Sequence, residues 1–205
     1  RTSLQCFKSI TTNGPAAAKL LHSYGISDSN IIISTRLSDG AAPKPCDDQA
    51  LAIVTQSLAG QPVWLAAYVQ DSEIDAVLKA HLNAIRFSHR LLLVVVLSDP
   101  QDSDQLEATL KKSGLRFSNW QPGNVIEDNT QVAIAQSRDD LGIWLRAAPL
   151  TFMASSLTSG SRGRGPFEAA ALGSAVLYGP YVDDHLPAYS RLAAAGAART
   201  VRDAE

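Results

Sequence analysis

The densest collection of groups able to meet an anion runs from Ser155 to Gly173. It reads Ser155-Ser156-Leu157-Thr158-Ser159-Gly160-Ser161-Arg162-Gly163-Arg164-Gly165-Pro166-Phe167-Glu168, then three alanines. Glycines let a backbone approach a ligand closely and turn its amides toward it. Pro166 suits the first position of a helix, where a missing N–H costs nothing. The helix start would add free amides and the positive end of a dipole, and Arg162 and Arg164 would add charge-assisted donors. Glu168, one turn in, has two readings. It either stabilises the helix dipole or accepts both hydroxyls of a ribose. Phosphate donors beside a hydroxyl acceptor suit a nucleotide.

Other chemistries find less support. The Gly-rich loop follows a late strand, not the first strand of a βαβ unit, so it is no dinucleotide fingerprint. No GxxxxGK(S/T) phosphate loop and no GxSxG nucleophile elbow occurs. Ser98–Asp104 is acidic and a poor phosphate cradle; it reads as polar ligand contacts or as an ordinary helix start. Cys6 and Cys46 lie 40 residues apart, outside any metal-binding spacing, and read as two free thiols. The four histidines, His22, His81, His89 and His185, form no HExxH-like pair, so no metal is expected. A formal net charge of -2 removes the electrostatic case for a nucleic-acid partner. The longest apolar run, Leu91–Leu97, suits a buried strand and is too short to cross a bilayer.

The elements that must position this loop follow from patterning. The pattern predicts strands at Leu4–Ile10 and Ile31–Ile33, with a helix between them from Pro15 to Tyr24 that Asn13 could cap. Asp39–Pro45 reads as a Pro/Gly linker, and Asp47 or Asp48 can cap the helix that follows. From Val63 onward strands and helices alternate, with fully apolar strands such as Leu91–Leu97. The helices expected are Ser72–Phe87, Ser103–Ser113, Asp139–Ala147, Pro166–Gly173 and His185–Ala195. Such alternation gives an α/β fold, a doubly wound, mostly parallel Rossmann-like sheet with helices on both faces. Its ligand crevice lies beyond the carboxyl ends of the strands, at loops after Ala67, Leu97, Ala135, Ala154 and Tyr178. Two regions are expected. Residues 1–45 would be the tail of a preceding α/β domain plus linker. Residues 46–205 would be a nucleotide-binding Rossmann-like domain, cut short at its C-terminus in a fragment of a longer protein.

At these residues the sequence resembles the 3-deoxy-D-manno-octulosonic acid (Kdo) transferases. Their pattern here is approximately GGSL, a short gap, GGHNPLEPAALG, and a strand ending in GP. Ala154–Leu157 stands for the first part, Arg162–Gly173 for the second, and Val176–Pro180 for the strand and its GP. Pro62–Ala67, Ala80-His81, Leu91–Val96, Pro100, Asp140-Leu141-Gly142 and Ala195–Asp203 agree in order. Three motifs depart from the pattern. A His-Asn pair is Arg164-Gly165 here, a strand-end STHEGEE is Tyr68–Ile74, and an Arg-His after the apolar strand is Ser98-Asp99.

The resemblance implies one half of a GT-B fold, two Rossmann-like domains facing across a cleft. The C-terminal half would hold CMP-Kdo, with the catalytic base in the other half and no metal or cofactor. Glu168 would then hold the ribose. Gly163, Gly165, Pro166 and the helix start with Phe167 would take the phosphate region. Arg162 and Arg164 would neutralise the leaving group, with Ser155 and Ser156 lining the floor. The parent would transfer Kdo to a lipid A precursor at the cytoplasmic face of the inner membrane, in lipopolysaccharide biosynthesis. The fragment would be soluble and inactive alone. The alternatives are a diverged paralogue serving as a nucleotide-binding or scaffold module, and a GT-B-type nucleotide-sugar epimerase.

Overall fold

The structure, a computed structural model, describes residues 4–34 and 43–204. It divides into two units, Arg1–Ala42 and Pro43–Glu205. In the first, β1 (Ile10–Thr12) and β2 (Ile31–Ile33) pair in parallel, joined by α1 (Pro15–Ser23). The expected strand over Leu4–Ile10 is instead a 3-10 turn at Leu4–Cys6, and the strand begins at Ile10. The β-branched residues explain the shift, because Ile10, Thr11 and Thr12 favour extended backbone and Lys8-Ser9 does not. Asn13 does not cap α1. Gly14 stands at the cap position without a side-chain bond, and Pro15 opens the helix. Of the expected linker, Asp39–Ala42 lies outside the described residues.

The second unit starts with α2 (Asp48–Leu58) and continues through β3 (Val63–Val69), α3 (Ile74–Ile85) and β4 (Leu92–Leu97). Next come α4 (Ser103–Ser113), β5 (Phe117–Trp120), β6 (Val132–Ala135), α5 (Leu141–Ala147) and β7 (Leu150–Met153). It closes with α6 (Phe167–Ala170), β8 (Ala175–Tyr178), α7 (Leu186–Ala194) and β9 (Ala198–Thr200). The strands form one sheet in the order β5-β6-β4-β3-β7-β8-β9, and every pairing is parallel. The chain therefore leaves β3 toward one edge, returns, and leaves β7 toward the other. The crevice of a doubly wound sheet opens where this reversal falls, here between the carboxyl ends of β3 and β7.

Strand burial follows from helices on both faces. Every residue of β3 and β4 is buried. One face packs Ala50, Val54 and Leu58 of α2, Trp144 of α5 and Tyr189 of α7 against the sheet. The other packs Ile74, Val77 and Leu78 of α3 and Leu106 and Leu110 of α4. Asp47 caps α2, accepting from the N–H groups of Gln49 at 2.9 Å and Ala50 at 3.2 Å. Beneath α3, His81 is fully buried, and the Trp64 indole N–H donates to its Nδ1 at 3.2 Å. Burial holds the imidazole down at about 4, so the ring is neutral at ordinary pH.

Pro43–Pro45, expected on the linker side of the boundary, lie with the second unit. The cause is α5. A Cβ on Gly142 would stand 1.8 Å from the Pro45 carbonyl oxygen, so only glycine lets the strap lie against the helix. Arg146 clamps it, its Nη1 donating to the carbonyls of Lys44 at 3.0 Å and Gly142 at 2.7 Å.

Candidate functional site

β3 and β7 run in register up to Ala67 and Met153. Just beyond, Tyr68 (φ 62) and Ser155 (φ 56) both enter the left-handed region. For non-glycine residues each costs on the order of 1–3 kcal/mol, and such strain collects at functional sites. The two are bonded to each other, Ser155 Oγ donating to the Tyr68 carbonyl at 2.8 Å. The register of β3 against β4 slips at the same point, which lets Tyr68 bulge from the sheet.

The Ser155–Leu157 turn is organised from inside by a residue of another element. Glu73 is fully buried, directly before α3. Its carboxylate accepts from the N–H groups of Ser155 at 2.6 Å, Ser156 at 2.8 Å, Leu157 at 2.8 Å and Gln70 at 3.3 Å. The amides that this Ser-rich turn would otherwise offer a phosphate are already filled by the protein's own anion. Ser156 Oγ donates to the Met153 carbonyl at 2.7 Å and accepts from Gly179 N–H at 2.8 Å. Gly179 must be glycine, because a Cβ there would meet the Ser156 carbonyl oxygen at 2.1 Å. Both serine side chains thus brace the loop.

The rest of the predicted loop is exposed or half-buried, apart from Pro166. Gly163 donates to the Ser155 carbonyl at 2.9 Å and packs against Val182. Arg162 is exposed and pairs with Asp184 at 3.7 Å. Gly165 lies near the His185 ring. Pro166 is buried at the cap of α6, and Arg191 sits over the Phe167 ring, 5.3 Å from its centroid. The loop is further fixed by Tyr189, whose hydroxyl donates to the Arg164 carbonyl at 2.8 Å while its ring stacks on Tyr178. The helix expected over Pro166–Gly173 contains only Phe167–Ala170 in α form, with turns beyond. Aligned peptide dipoles sum along a helix, so the four-residue α6 presents only a weak positive end.

Tyr68 brings the outward groups together. Its hydroxyl donates to Glu168 Oε2 at 3.1 Å, and the Arg164 guanidinium lies over its ring, 5.0 Å from the centroid. Burial and then the Glu168 charge push the phenol up, so it stays protonated and remains a donor; Arg164 and Arg138 oppose the shift. Among the described residues the Arg164 guanidinium makes no ion pair or hydrogen bond, which leaves its donors available. Arg138 lines a cavity of about 220 Å³ beyond β4 and β6, with Val96, Leu97, Pro100, Ile134 and Gln136. Among the described residues no group of three or more His, Cys, Asp or Glu side chains could hold a metal ion.

The sequence places Ser155, Ser156, Arg162, Gly163, Arg164, Gly165, Pro166, Phe167 and Glu168 on one continuous loop, and the structure adds Tyr68 from β3, Glu73 from the turn before α3 and Arg138 from the turn after β6. The signal for Glu73 lies in the motif comparison, where it stands at the first glutamate of the closing Glu-Glu in STHEGEE. Tyr68 sits near the carboxyl end of β3 and Arg138 in the turn that follows β6, but position alone does not single them out.

A parallel seven-stranded sheet with this reversal and this loop at its carboxyl edge defines the class. It is a doubly wound α/β domain with helices on both faces of the sheet. The chain superimposes on the C-terminal CMP-Kdo binding domain of WaaA from Acinetobacter baumannii with a TM-score of 0.70 at 22% identity, covering 76% of this chain and 81% of that one. It is 26% identical over 121 residues to the 3-deoxy-D-manno-octulosonic acid transferase of Haemophilus influenzae. That match takes in 59% of this chain, which spans 28% of the length of the curated relative. No family model matches.

Proposed function

We propose that the second unit is the donor-binding domain of a Kdo transferase and holds CMP-Kdo at the β3/β7 crevice. The observation that carries this reading is the Arg164–Tyr68–Glu168 cluster, an available cation and a hydroxyl acceptor side by side at the switch point of the sheet. The likeness to the two Kdo proteins supplies the identity of the sugar. Glu168 takes the ribose hydroxyls. Arg164, Arg162 and the amides around Gly165–Phe167 take the phosphate, and Ser155 and Ser156 support that loop from beneath. The cavity lined by Arg138 and Pro100 takes the base.

In this reading the whole protein transfers Kdo to a lipid A precursor by direct displacement, at the cytoplasmic face of the inner membrane. The leaving phosphate is met by arginines and amides without a metal, and the catalytic base comes from outside these residues. Among the described residues no helix is long and apolar enough to cross a membrane. Replacement of the family's His-Asn pair by Arg164-Gly165 favours a second reading, a domain that binds nucleotide without catalysis.

Calorimetric titration with CMP tests the donor site. Saturable binding that Glu168→Ala removes is the expected result. Preference for UDP over CMP would overturn the sugar assignment, and no binding at millimolar CMP would overturn the donor site.

A further inference from the structure

Tyr68 does not belong to the Gly/Arg loop, yet it touches both groups assigned to the nucleotide. We infer that Tyr68 is the positioning residue of the crevice, with its ring seating Arg164 for the phosphate and its hydroxyl orienting Glu168 for the ribose. This rests on the donor-site reading above and adds a division of labour within one side chain.

Three observations carry it. First, the backbone holds Tyr68 in a conformation that strand residues avoid, at φ 62, and the Ser155 hydroxyl fixes it there. Continuing β3 in extended form would turn the side chain away from the bulge. The left-handed kink aims it into the crevice. Second, the phenol donates to one carboxylate oxygen only, Oε2 of Glu168. A carboxylate has two oxygens with about four lone-pair sites, so Oε1 stays open to accept from a ligand hydroxyl while Oε2 is pinned. Third, Arg164 is exposed, and the Tyr68 ring is the contact that gives its guanidinium a fixed seat. A guanidinium held over an aromatic face leaves its planar fork of N–H donors free to meet an anion. Without that platform a long exposed side chain samples many rotamers and loses its order on binding.

The two roles separate by substitution. Tyr68→Phe keeps the ring and removes the hydroxyl, and Tyr68→Leu removes both. Arg164→Gln removes the cation and leaves Tyr68 and its backbone strain untouched. The 205-residue chain and each variant are titrated with CMP, 2′-deoxy-CMP and cytidine. The ratio of the first two affinities reads the ribose contact, and the ratio of the first and third reads the phosphate contact.

The Phe variant is expected to lower the ribose preference about fivefold, the scale of one lost orienting hydrogen bond, and to keep the phosphate preference. The Leu variant is expected to lower the phosphate preference as well, by about threefold, the scale of one exposed cation–aromatic contact. Arg164→Gln should lower the phosphate preference and spare the ribose one. Thermal unfolding of each variant separates these effects from loss of fold.

A Phe variant that weakens all three ligands equally would reduce Tyr68 to a structural part and overturn the inference. So would a Leu variant that keeps the phosphate preference. If the unaltered chain discriminates and both Tyr68 variants match it, this inference falls and the donor-site reading stands. If the unaltered chain binds none of the three, the donor-site reading falls and takes this one with it.

Discussion

The start of α3 and its interior treat a buried polar side chain in opposite ways. Just ahead of α3, Glu73 is fully buried and surrounded by backbone N–H donors from two loops. Two turns further along, His81 is equally buried with a single donor, the Trp64 indole. The first site suits an anion and ties the crevice loop to the helix. The second suits a neutral ring and belongs to the core. Burial keeps the His81 ring neutral, whereas the donors gathered around Glu73 satisfy an equally buried carboxyl group.

The largest effect expected from this contrast is at Glu73. Glu73→Ala strips the partner from the amides of Ser155, Ser156 and Leu157 together. It should lower the unfolding free energy by about 4 kcal/mol, since unmet buried donors cost on the order of 1–3 kcal/mol each and partly relax. Denaturant titration measures this, and a cost below that of an ordinary surface substitution would mean that the nest is not held by Glu73.

The next effect is acid sensitivity at His81. Its folded-state value is depressed to about 4 from 6.5, so above pH 6.5 both folded and unfolded states carry a neutral ring and stability is intact. As pH falls from 6.5 toward 4 only the unfolded chain takes up the proton, and stability drops by about 3 kcal/mol over that window. Denaturant midpoints collected across it should flatten in His81→Leu; an unchanged slope would assign the acid step elsewhere.

A smaller change is expected for Trp64→Phe, which removes the indole donor and costs about 1 kcal/mol plus some packing. The acid step should survive in this variant, because burial is the first cause of the neutral ring. The smallest effect belongs to Arg162→Ala. Its pair with Asp184 is exposed, so stability should move by less than about 0.5 kcal/mol. CMP affinity is the readout in which Arg162 should count, and a large change in melting temperature with none in affinity would give it a structural role instead.

Alternation of apolar strands with helices was enough to read the second unit, because its central strands are buried on both faces and show it in composition. Leu92–Leu97 and Val132–Ala135 carry that signal without help from the rest of the chain. Sheet order was beyond reach, since nothing local in β7 states that it returns to pair with β3. The Gly/Arg loop was readable for the same local reason as the strands. Its internal support was not. Glu73 bonds to amides more than 80 residues away, and Tyr68 meets Glu168 at a separation of 100. Ser155 and Ser156, expected to line the floor, look like ligand groups in sequence because hydroxyls that brace a loop and hydroxyls that face a ligand are the same residues. The shortness of α6 escaped notice because Ala169–Ala171 has high helix propensity, while the turn is ended early by packing and by Gly173 at φ 83.

Gly142 has a practical consequence for excision. A chain started at Cys46 would retain every strand and helix of the second unit and would look complete by secondary structure. It would nevertheless leave Arg146 without the Lys44 carbonyl and uncover the bare backbone of α5 where Pro45 now lies. The functional edge of this unit is therefore set by a peptide strap with no regular structure, and a clean cut falls ahead of Pro43.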